Sequence, residues 1–472
     1  MVDEKERGVP EELLESTARS LHYRLACAQR DGRAPSIAAG VVRGGRLVWS
    51  AGVGAMVGEP KDVAYRIASI TKTFTAVLVL QLRDEGKLDL TDALSTYLPE
   101  TGSRSTLAQL LAHTSGMTSE LPGEWFERVT GSGIADLISA IREEPARLVA
   151  GSRLHYSNVG FALLGEVVAR LRGAPWEQVL QEFILDPLGL TRTGVGPSDP
   201  AADGWAVHPH ADVLLREPAA DIGAMGPCGQ LWSNVDDLGQ WLTFLCGQGG
   251  PSAAAVLSPE TLAEMRQPAS VMDGDAWDSG FGLGLQLHRI DGRSLVGHGG
   301  SLPGFVSTIW AEPATGDGVA VLANSTSGVP VGQVADDLLR LLADREPALP
   351  TPWQPAPVEG AVLELAGTWY WGPTAFTLSV VGSADLRLAA PGSSRTSTFH
   401  PSGRDTWIGQ DAYYAGETLR AVRDQDGRLR HLDVATFVFT REPYDPAAAI
   451  PGGVDEDGWH SPGQAESEAR KP

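Results

Sequence analysis

The sequence predicts an α+β fold, an antiparallel sheet interrupted by a long helical region, followed by a small all-β barrel. Strand patterns occur at both ends of the first 345 residues, with mainly helical patterns between them. A proline-rich stretch follows, and beyond it only short strand patterns occur. We expect the two strand groups of the first region to pair into one sheet, with the helical region inserted between them.

The first predicted elements are a helix, a strand pair and a second helix. An amphipathic pattern predicts a helix over residues 11–30, and runs of apolar residues predict strands over 36–43 and 46–53. Two glycines separate these strands, which is typical of a tight hairpin turn. Residues 71–82 are nearly all apolar or threonine, which predicts a buried helix that ends before Gly86.

Helical patterns dominate the middle of the chain, from about residue 91 to residue 280. The helices predicted there cover residues 107–113, 134–142, 161–172, 176–185, 235–245 and 259–265. Strand patterns then return at residues 281–290, 294–298, 305–311 and 318–324. A closing helix is predicted over residues 331–343. We therefore expect a first domain over residues 1–345.

The rest of the chain is predicted to be a linker, a barrel and a tail. Five prolines between residues 346 and 360 indicate the linker. Strands separated by Gly, Asp and Pro turns indicate an up-and-down barrel over 361–446, with strands at residues 367–371, 376–381, 386–390, 397–400, 406–408, 418–424 and 429–441. Residues 447–472 are rich in Gly, Pro, Glu and Ala, and we expect them to be disordered.

Composition and charge exclude several classes of function. The formal net charge of −22 disfavours nucleic acid and anionic membrane surfaces as partners. No apolar run is long enough to span a bilayer, and the N-terminus lacks the apolar stretch of a signal peptide. The three cysteines have neither metal-site nor disulfide-framework spacing. We therefore expect reduced core cysteines in a cytoplasmic protein.

The start of the helix predicted at 71–82 carries a Ser-x-x-Lys pair, Ser69 and Lys72. Residues three apart in a helix share one face, so we expect the hydroxyl and the amine to be neighbours. Burial favours the neutral form of a lysine, which can accept the serine proton, and the helix start offers backbone N–H groups to a developing oxyanion. The alternative is a serine helix cap followed by a lysine whose amine reaches solvent.

Three other polar segments are candidates for the same site. Tyr156 and Asn158 precede an apolar helix and can offer a phenol and an amide to one cleft; a turn with a packed tyrosine and an asparagine cap is the alternative. His298 lies in the glycine-rich segment 297–304, which a ligand can approach closely, although a loose hairpin exit is an equal alternative. His113, in a Leu-Ala-His-Thr-Ser-Gly stretch, is interpreted as part of a structural turn.

Signatures of other enzyme classes are absent from the sequence. It contains no Gly-x-Ser-x-Gly, no His-Glu-x-x-His, no Cys-x-x-Cys and no nucleotide-binding glycine loop. The acidic run at residues 273–278 lacks the glutamate that completes a calcium-binding loop. We therefore expect neither a metal nor another cofactor.

Three motifs occur in the order and approximate spacing of one family, namely Ser69-x-x-Lys72, Tyr156-x-Asn158 and His298-Gly299-Gly300. The sequence resembles penicillin-binding-protein-like serine hydrolases, the group of class C β-lactamases, DD-peptidases and esterases. The resemblance covers residues 35–345, and the C-terminal strands are similar to the lipocalin-like domain of some members. It implies a β-lactamase-like sheet with helices on both faces, and an active-site cleft between that sheet and the helical region.

The resemblance implies catalytic roles for the first two motifs. Ser69 is then the nucleophile, and Lys72 helps to deprotonate it. Tyr156 transfers the proton to the leaving group and activates the second acceptor. The backbone N–H groups of Ser69 and Ser301 form the oxyanion hole.

The resemblance also implies how substrate is bound. Asn158 holds the acyl amide or orients Lys72, and His298 replaces the lysine of the family's Lys-Thr-Gly strand motif. The hydroxyl that is common at the middle position of that motif is absent, because the residue there is Gly299, followed by Gly300. In β-lactam and D-Ala-D-Ala enzymes this hydroxyl helps to bind a carboxylate, so we expect weak β-lactamase activity.

The function implied is a serine acyl-enzyme hydrolase of peptidase or esterase type, acting on a small peptide, amide or ester through acyl-Ser69. One alternative is an acyltransferase, a penicillin-binding-protein-type thioesterase that cyclises or releases a nonribosomal peptide from a carrier-bound thioester. In such enzymes an arginine of the barrel helps to receive the incoming group, and Arg441 is the candidate unless it is an ordinary strand-end arginine. A non-catalytic penicillin-recognising sensor is a second alternative.

Overall fold

The computed structural model describes residues 13–143, 146–272, 274–350, 352–392 and 395–445. The chain folds as two compact units that divide after Pro350, within the predicted linker. The first unit is α+β and the second is all-β, apart from one short helix, which confirms the predicted fold class. The tail predicted to be disordered, residues 447–472, lies outside the described residues.

Twelve strands are assigned in the described part of the first unit. In chain order they are β1 (Ser36–Arg43), β2 (Arg46–Gly54), β3 (Tyr65–Arg66), β4 (Trp205–Val207), β5 (Leu214–Arg216), β6 (Trp232–Ser233), β7 (Ser270–Val271), β8 (Ser279–Phe281), β9 (Gln286–Ile290), β10 (Arg293–Leu302), β11 (Phe305–Glu312) and β12 (Asp317–Ala323). Eight of them form one antiparallel sheet in the order β2-β1-β12-β11-β10-β9-β8-β7. The strands β3 with β6, and β4 with β5, form two small separate pairs.

The helices of this unit precede, interrupt and follow the sheet strands. Those in the described residues are α1 (Glu15–Gly32), α2 (Thr71–Asp84), α3 (Leu94–Tyr97), α4 (Leu107–Leu111), α5 (Ile134–Glu143), α6 (Asn158–Arg172), α7 (Trp176–Leu180), α8 (Asp186–Leu188), α9 (Gly226–Gly229), α10 (Val235–Leu245), α11 (Gly250–Val256), α12 (Pro259–Met265) and α13 (Val331–Arg345). A single π-helical turn, Gln181–Leu185, joins α7 to α8.

The predicted pairing of the two strand groups is confirmed. The N-terminal strand β1 lies antiparallel to the C-terminal strand β12, with Ile37 opposite Ala323 and Val42 opposite Gly318. The chain therefore leaves the sheet after β2, forms the helical region, and rejoins the sheet at β7. This arrangement is an α+β layer structure in which strands from distant parts of the chain are neighbours in one sheet.

Strand β1 shows why the sheet carries helices on both faces. All eight of its residues are buried, as expected for a strand that is covered on both sides. Ile37, Ala39 and Val41 pack in a core with residues of α1 and α13. Ala38 and Val42 point to the opposite face and pack in the larger core that includes α2 and α10.

Helix α2 is the central element of the larger core. Every residue from Thr71 to Leu82 is buried, which agrees with the absence of a polar face in its sequence. The Phe74 ring stacks on Trp241 of α10 at a centroid distance of 3.8 Å, and the Trp241 indole N–H donates to Thr73 Oγ1 at 3.0 Å. These contacts fix the start of α2 against α10.

The strand predicted over residues 281–290 is two strands, β8 and β9. The break occurs at 282–285, where glycines bring the backbone close to its neighbours. A Cβ atom on Gly282 would lie 2.0 Å from the Met265 carbonyl oxygen, and one on Gly284 would lie 2.2 Å from Ala76 Cβ. Gly284 also has a positive φ of 77°, which ends the extended conformation.

Helix α6 begins three residues before the start predicted from its apolar pattern. Ser157 is the cap, because its Oγ accepts a hydrogen bond from the Gly160 N–H at 3.0 Å. The interpretation of Asn158 as a helix cap is therefore wrong. The Asn158 side chain is free to bond elsewhere, although its backbone lies in the first turn of the helix.

The second unit is a barrel of eight antiparallel strands in sequence order, counted over the residues that the structure describes. After the short helix α14 (Gly360–Leu363) they are β13 (Gly367–Trp371), β14 (Thr374–Val381), β15 (Asp385–Ala389), β16 (Thr396–Gly403), β17 (Thr406–Gly409), β18 (Thr418–Arg423), β19 (Leu429–Val434) and β20 (Phe437–Phe439). Backbone bonds of 2.8 and 2.9 Å between Tyr370 and Thr440 join the first strand to the end of the last. The barrel is therefore nearly closed, which is consistent with a lipocalin-like domain.

The region predicted as a single strand over 429–441 is a hairpin of β19 and β20. Ala435 lies between them with a positive φ of 55°. This conformation is uncommon for a residue other than glycine, which explains why sequence reasoning did not place a turn there. Across the described residues, no helix is both long enough and apolar enough to cross a membrane.

A buried ion pair joins β1 and β12, two neighbouring strands of the sheet. Arg43 at the end of β1 binds Asp317 at the start of β12 through two contacts of 3.0 and 3.1 Å. The two side chains are only 10% and 6% exposed. Arg43 Nη1 also donates to the Glu346 carbonyl oxygen, so the pair connects both strands to the end of α13.

We expect Arg43→Ala to lower the free energy of unfolding by about 3–5 kcal/mol, because it leaves the Asp317 carboxylate buried without its counter-ion. Arg19→Ala is the control, since Arg19 pairs with Glu15 in water, with exposures of 81% and 90%, and we expect little change there. Urea unfolding followed by circular dichroism measures both. Equal effects of the two substitutions would contradict the role given to the buried pair.

Candidate active site

Ser69 lies in a 3₁₀ turn, Ala68–Ile70, that leads directly into α2. Ala68 immediately before it has a positive φ of 48°, a strained conformation of the kind that occurs at functional sites. The Ile67 N–H donates to the Leu231 carbonyl at 2.9 Å, and the Ile67 carbonyl accepts from Ser307 Oγ of β11 at 3.0 Å. Ser69 is therefore held between the sheet and the helical region, with its side chain half-buried.

Lys72 lies one helical turn later and is completely buried. Its Nζ atom is 3.0 Å from Ser69 Oγ, 2.6 Å from Asn158 Oδ1 and 2.7 Å from the Cys228 carbonyl oxygen. The amide and carbonyl oxygens can only accept hydrogen bonds. In the neutral amine they take both N–H groups, which leaves the Nζ lone pair for the Ser69 hydroxyl proton. The alternative of a serine cap with a solvent-exposed lysine is therefore wrong.

Asn158 connects Lys72 to a carboxylate that sequence reasoning missed, Glu120. The Asn158 Nδ2 group donates to Glu120 Oε1, and this bond orients the amide so that its oxygen meets Lys72. The Ser119 carbonyl accepts from the Asn158 backbone N–H at 3.0 Å, which places the two segments side by side. Burial raises the pKa of Glu120, while the Asn158 bond and the Lys72 charge oppose this shift.

Tyr156 is half-buried, and its ring centroid lies 4.9 Å from Lys72 Nζ. The ring stacks on His113 at 4.2 Å. His113 is a second residue whose role the sequence did not reveal: its Nδ1 accepts from the Ser157 backbone N–H at 3.1 Å, and its carbonyl accepts from the His155 N–H at 2.7 Å. It therefore fixes the segment that carries Tyr156, and burial lowers its pKa well below the usual range.

His298 lies on β10, 6.1 Å from the Tyr156 ring between centroids. Its Nδ1 is 2.6 Å from the Gly299 carbonyl oxygen, which can only accept, so Nδ1 carries the proton and Nε2 is an acceptor. Burial, with the nearby Lys72 charge, lowers the pKa of His298 to about 3. His298 is therefore neutral where the resemblance expects a lysine cation.

The glycines after His298 differ in the space around them. A Cβ atom on Gly300 would lie 2.2 Å from the Ile67 carbonyl oxygen and 2.4 Å from Ser307 Oγ. A Cβ atom on Gly299 would have its nearest neighbour, Gln286 Oε1, at 3.9 Å. Gly300 is therefore required for the close approach of β10 to the turn that carries Ser69. Position 299, in contrast, has space for a side chain that carries a hydroxyl.

The structure brings four candidate residues together around Lys72, namely Ser69, Tyr156, Asn158 and His298. The two candidates not yet described are Ser301 and Arg441. Ser301 is exposed on β10, opposite Val306 of β11. Arg441 belongs to the barrel unit, where its guanidinium stacks on the Trp369 ring at 3.9 Å. It also donates to the carbonyl oxygens of Thr368 at 3.1 Å and Ala366 at 3.2 Å. These are the contacts of a structural strand-end arginine.

The family model described as Beta-lactamase matches residues 18–344. The chain belongs to the beta-lactamase family, whose members are serine hydrolases. A second model, described as Domain of unknown function (DUF7586), matches residues 358–441.

Three similar proteins illustrate this relationship. Penicillin-binding protein 4 of Amycolatopsis lactamdurans is 29% identical over 341 residues, covering 67% of this chain and 87% of that protein. Beta-lactamase-like protein 2 of Dictyostelium discoideum is 30% identical over 268 residues, covering 52% of this chain; the match spans only 48% of that protein. A D-stereospecific amidohydrolase from Streptomyces superposes with a TM-score of 0.58 at 25% identity, covering 71% of this chain and 99% of the other.

We expect Gly300→Ala to lower the free energy of unfolding by about 1–3 kcal/mol, because its new methyl group overlaps the Ile67 carbonyl. Gly299→Ala is the matched control, since its methyl group has space, and we expect it to unfold at nearly the wild-type urea concentration. Parallel urea titrations of the two variants check this. If Gly299→Ala is the more destabilised one, the close approach at Gly300 is not the limiting contact.

We expect His298 to make stability depend on pH. Between about pH 6.5 and about pH 3 the unfolded chain protonates this histidine and the folded protein does not, so stability decreases as the pH falls through this window. His298→Gln removes this term and flattens the dependence by up to about 1.4 kcal/mol per pH unit. Unfolding midpoints across the window measure it. His22→Gln, at an exposed position on α1, is the control; flattening by both variants alike would contradict the assignment.

Proposed function

We propose that this protein is a serine acyl-enzyme hydrolase that acts on a small peptide, amide or ester through acyl-Ser69. The observation that carries the proposal is the 3.0 Å contact between Lys72 Nζ and Ser69 Oγ. The two other partners of Lys72 Nζ, Asn158 Oδ1 and the Cys228 carbonyl oxygen, can only accept hydrogen bonds. This geometry leaves a lysine lone pair for the serine proton, which is what an activated nucleophile requires.

The proposed reaction has two halves. Ser69 Oγ attacks the substrate carbonyl carbon while its proton passes to Lys72, and Tyr156 beside Lys72 delivers a proton to the leaving group as its bond to carbon breaks. Water then attacks the acyl-Ser69 ester, loses a proton to the same groups and releases the acid. The backbone N–H groups of Ser69 and Ser301 are proposed to bind the oxyanion in both halves.

An amide substrate agrees with the description of one relative. The Streptomyces relative at 25% identity is described as a D-stereospecific amidohydrolase. Gly299 lacks the hydroxyl that the resemblance connects with carboxylate binding, and the neighbouring His298 is neutral where the family has a lysine. We therefore propose an amide or ester substrate that does not depend on a carboxylate for recognition, and weak reaction with β-lactams.

Transfer of the acyl group to an amine, from a free or carrier-bound peptidyl thioester, uses the same first half-reaction. The contacts that Arg441 makes within the barrel are structural, so they give no particular support to a role in receiving the incoming group. Incubation with a peptidyl thioester separates the two reactions: hydrolysis predicts the linear acid, and transfer predicts a cyclic or amine-linked product. Recovery of unchanged thioester would count against both.

We expect a fluorophosphonate probe to form a single covalent adduct that Ser69→Ala abolishes. Lys72→Met should slow adduct formation by about 10²–10⁴-fold, because the serine loses its base. Lys61→Met, at an exposed lysine, is the matched control and should react at the wild-type rate. Intact-mass spectrometry over time measures all four proteins.

Two outcomes would contradict the proposed function. If folded wild-type protein forms no adduct, the protein is a non-catalytic binding protein such as a penicillin-recognising sensor. If the adduct persists in Ser69→Ala, the nucleophile is a different residue.

A further inference from the structure

Glu120 is a half-buried carboxylate that the proposed reaction does not consume. Its Oε1 accepts from Asn158 Nδ2, but its Oε2 is buried and, among the described residues, meets no hydrogen-bond donor. Leaving a carboxylate oxygen unpaired in this way costs free energy, so such an atom requires an explanation. Because Asn158 joins Glu120 to Lys72, the unpaired oxygen lies two hydrogen bonds from the Lys72 amine that contacts Ser69.

Glu120 also lines a cavity of about 220 Å³ between the segment after α4 and the start of α9. Its half-buried or buried apolar lining residues are Leu121, Phe126, Leu137, Ile222 and Met225. Its exposed polar lining residues are Glu124, Thr130 and Ser132. The cavity thus combines an apolar wall with a carboxylate, which suits a group that has an apolar part and a cationic part.

The cations near Ser69 are not available to a carboxylate on the substrate. Lys72 already has three partners, and Arg66 is only 1% exposed, with Nη2 bonded to the Ala220 carbonyl at 2.7 Å. His298 offers a second unpaired acceptor, since its buried Nε2 meets no donor in the described structure. Glu120 Oε2 and His298 Nε2 are therefore two unpaired acceptors near Ser69, and an ammonium group carries the donors that such acceptors need.

We propose that Glu120 binds the free amino group of the acyl donor and that the adjoining cavity receives its apolar side chain. The inference rests on the proposed function and names its substrate class: aminoacyl amides or esters with an unblocked amine and an apolar side chain. An ammonium group brings three donors, of which one pairs with Glu120 Oε2. An acylated amine loses the charge and adds bulk at this point, so the enzyme discriminates against it.

A matched pair of phosphonate probes tests this proposal without requiring turnover. The probes are 1-amino-2-phenylethyl diphenylphosphonate and its deamino counterpart, 2-phenylethyl diphenylphosphonate. With each, Ser69 Oγ bonds to phosphorus, one P–O bond to a phenoxy group breaks, and phenol leaves with the proton. Intact-mass spectrometry gives the labelling rate of each probe, and the ratio of the two rates reports recognition of the amine.

We expect wild-type protein to favour the amino probe by about tenfold or more, the difference that a charge-assisted hydrogen bond supplies. Glu120→Gln keeps an oxygen for Asn158 Nδ2 but removes the charge, so it should bring the ratio close to one. Glu127→Gln makes the same change in the same segment, at a carboxylate bonded to Trp125 instead, and should keep the wild-type ratio.

The outcomes separate this inference from the proposed function. A wild-type ratio at or below one overturns the inference, as does a Glu120→Gln variant that slows both probes equally, which means that Glu120 only positions Asn158. If neither probe labels the protein while the fluorophosphonate still reacts at Ser69, the inference is overturned and the proposed function is not. No labelling of Ser69 by any of the three compounds overturns both.

Discussion

The site depends on the close approach of β10 to the backbone turn that precedes Ser69. Gly300 permits this approach, since a Cβ atom there would lie 2.2 Å from the Ile67 carbonyl oxygen, and Ser307 of the next strand bonds that same oxygen. The contact joins the sheet to the start of α2, whose residues from Thr71 to Leu82 are buried in the core. Ser69 therefore stands at the junction of two rigid elements, as precise positioning of a nucleophile requires.

A second constraint is the distribution of charge around Lys72. The ammonium or amine at this position is completely buried and meets Ser69, Asn158 and a main-chain carbonyl. The hydrogen-bond network continues through Asn158 to Glu120, so the nearby carboxylate lies on the side of the site that Asn158 forms. On the strand side His298 is neutral, because burial and Lys72 disfavour its protonation. This pattern differs from a site with a lysine on the strand, and it underlies the amine-recognition proposal.

The barrel folds around its own core, with Trp369, Phe399 and Phe439 fully buried in it. Arg441 covers Trp369 at 3.9 Å and bonds the backbone of β13, so it helps to close the barrel. Its sequence position at a strand end could not distinguish this structural role from substrate binding, because either role is compatible with an arginine that follows a strand rich in aromatic residues. The contact with Trp369, made by residues 72 positions apart, exists only in the folded unit.

Local pattern determined most of the fold: apolar periodicity and glycine turns predicted β1, β2, α2 and α10, the pairing of the two strand groups of the first unit, and the up-and-down arrangement of the second. The three motifs, taken together, also predicted that Ser69, Lys72, Tyr156, Asn158 and His298 share one site. Tertiary structure alone decided the break between β8 and β9, where glycines meet distant backbone, and the tautomer and charge of His298, which depend on burial. It alone revealed Glu120 and the contacts of His113, because hydrogen bonds and ring stacking between segments about 40 residues apart leave no mark in a single sequence.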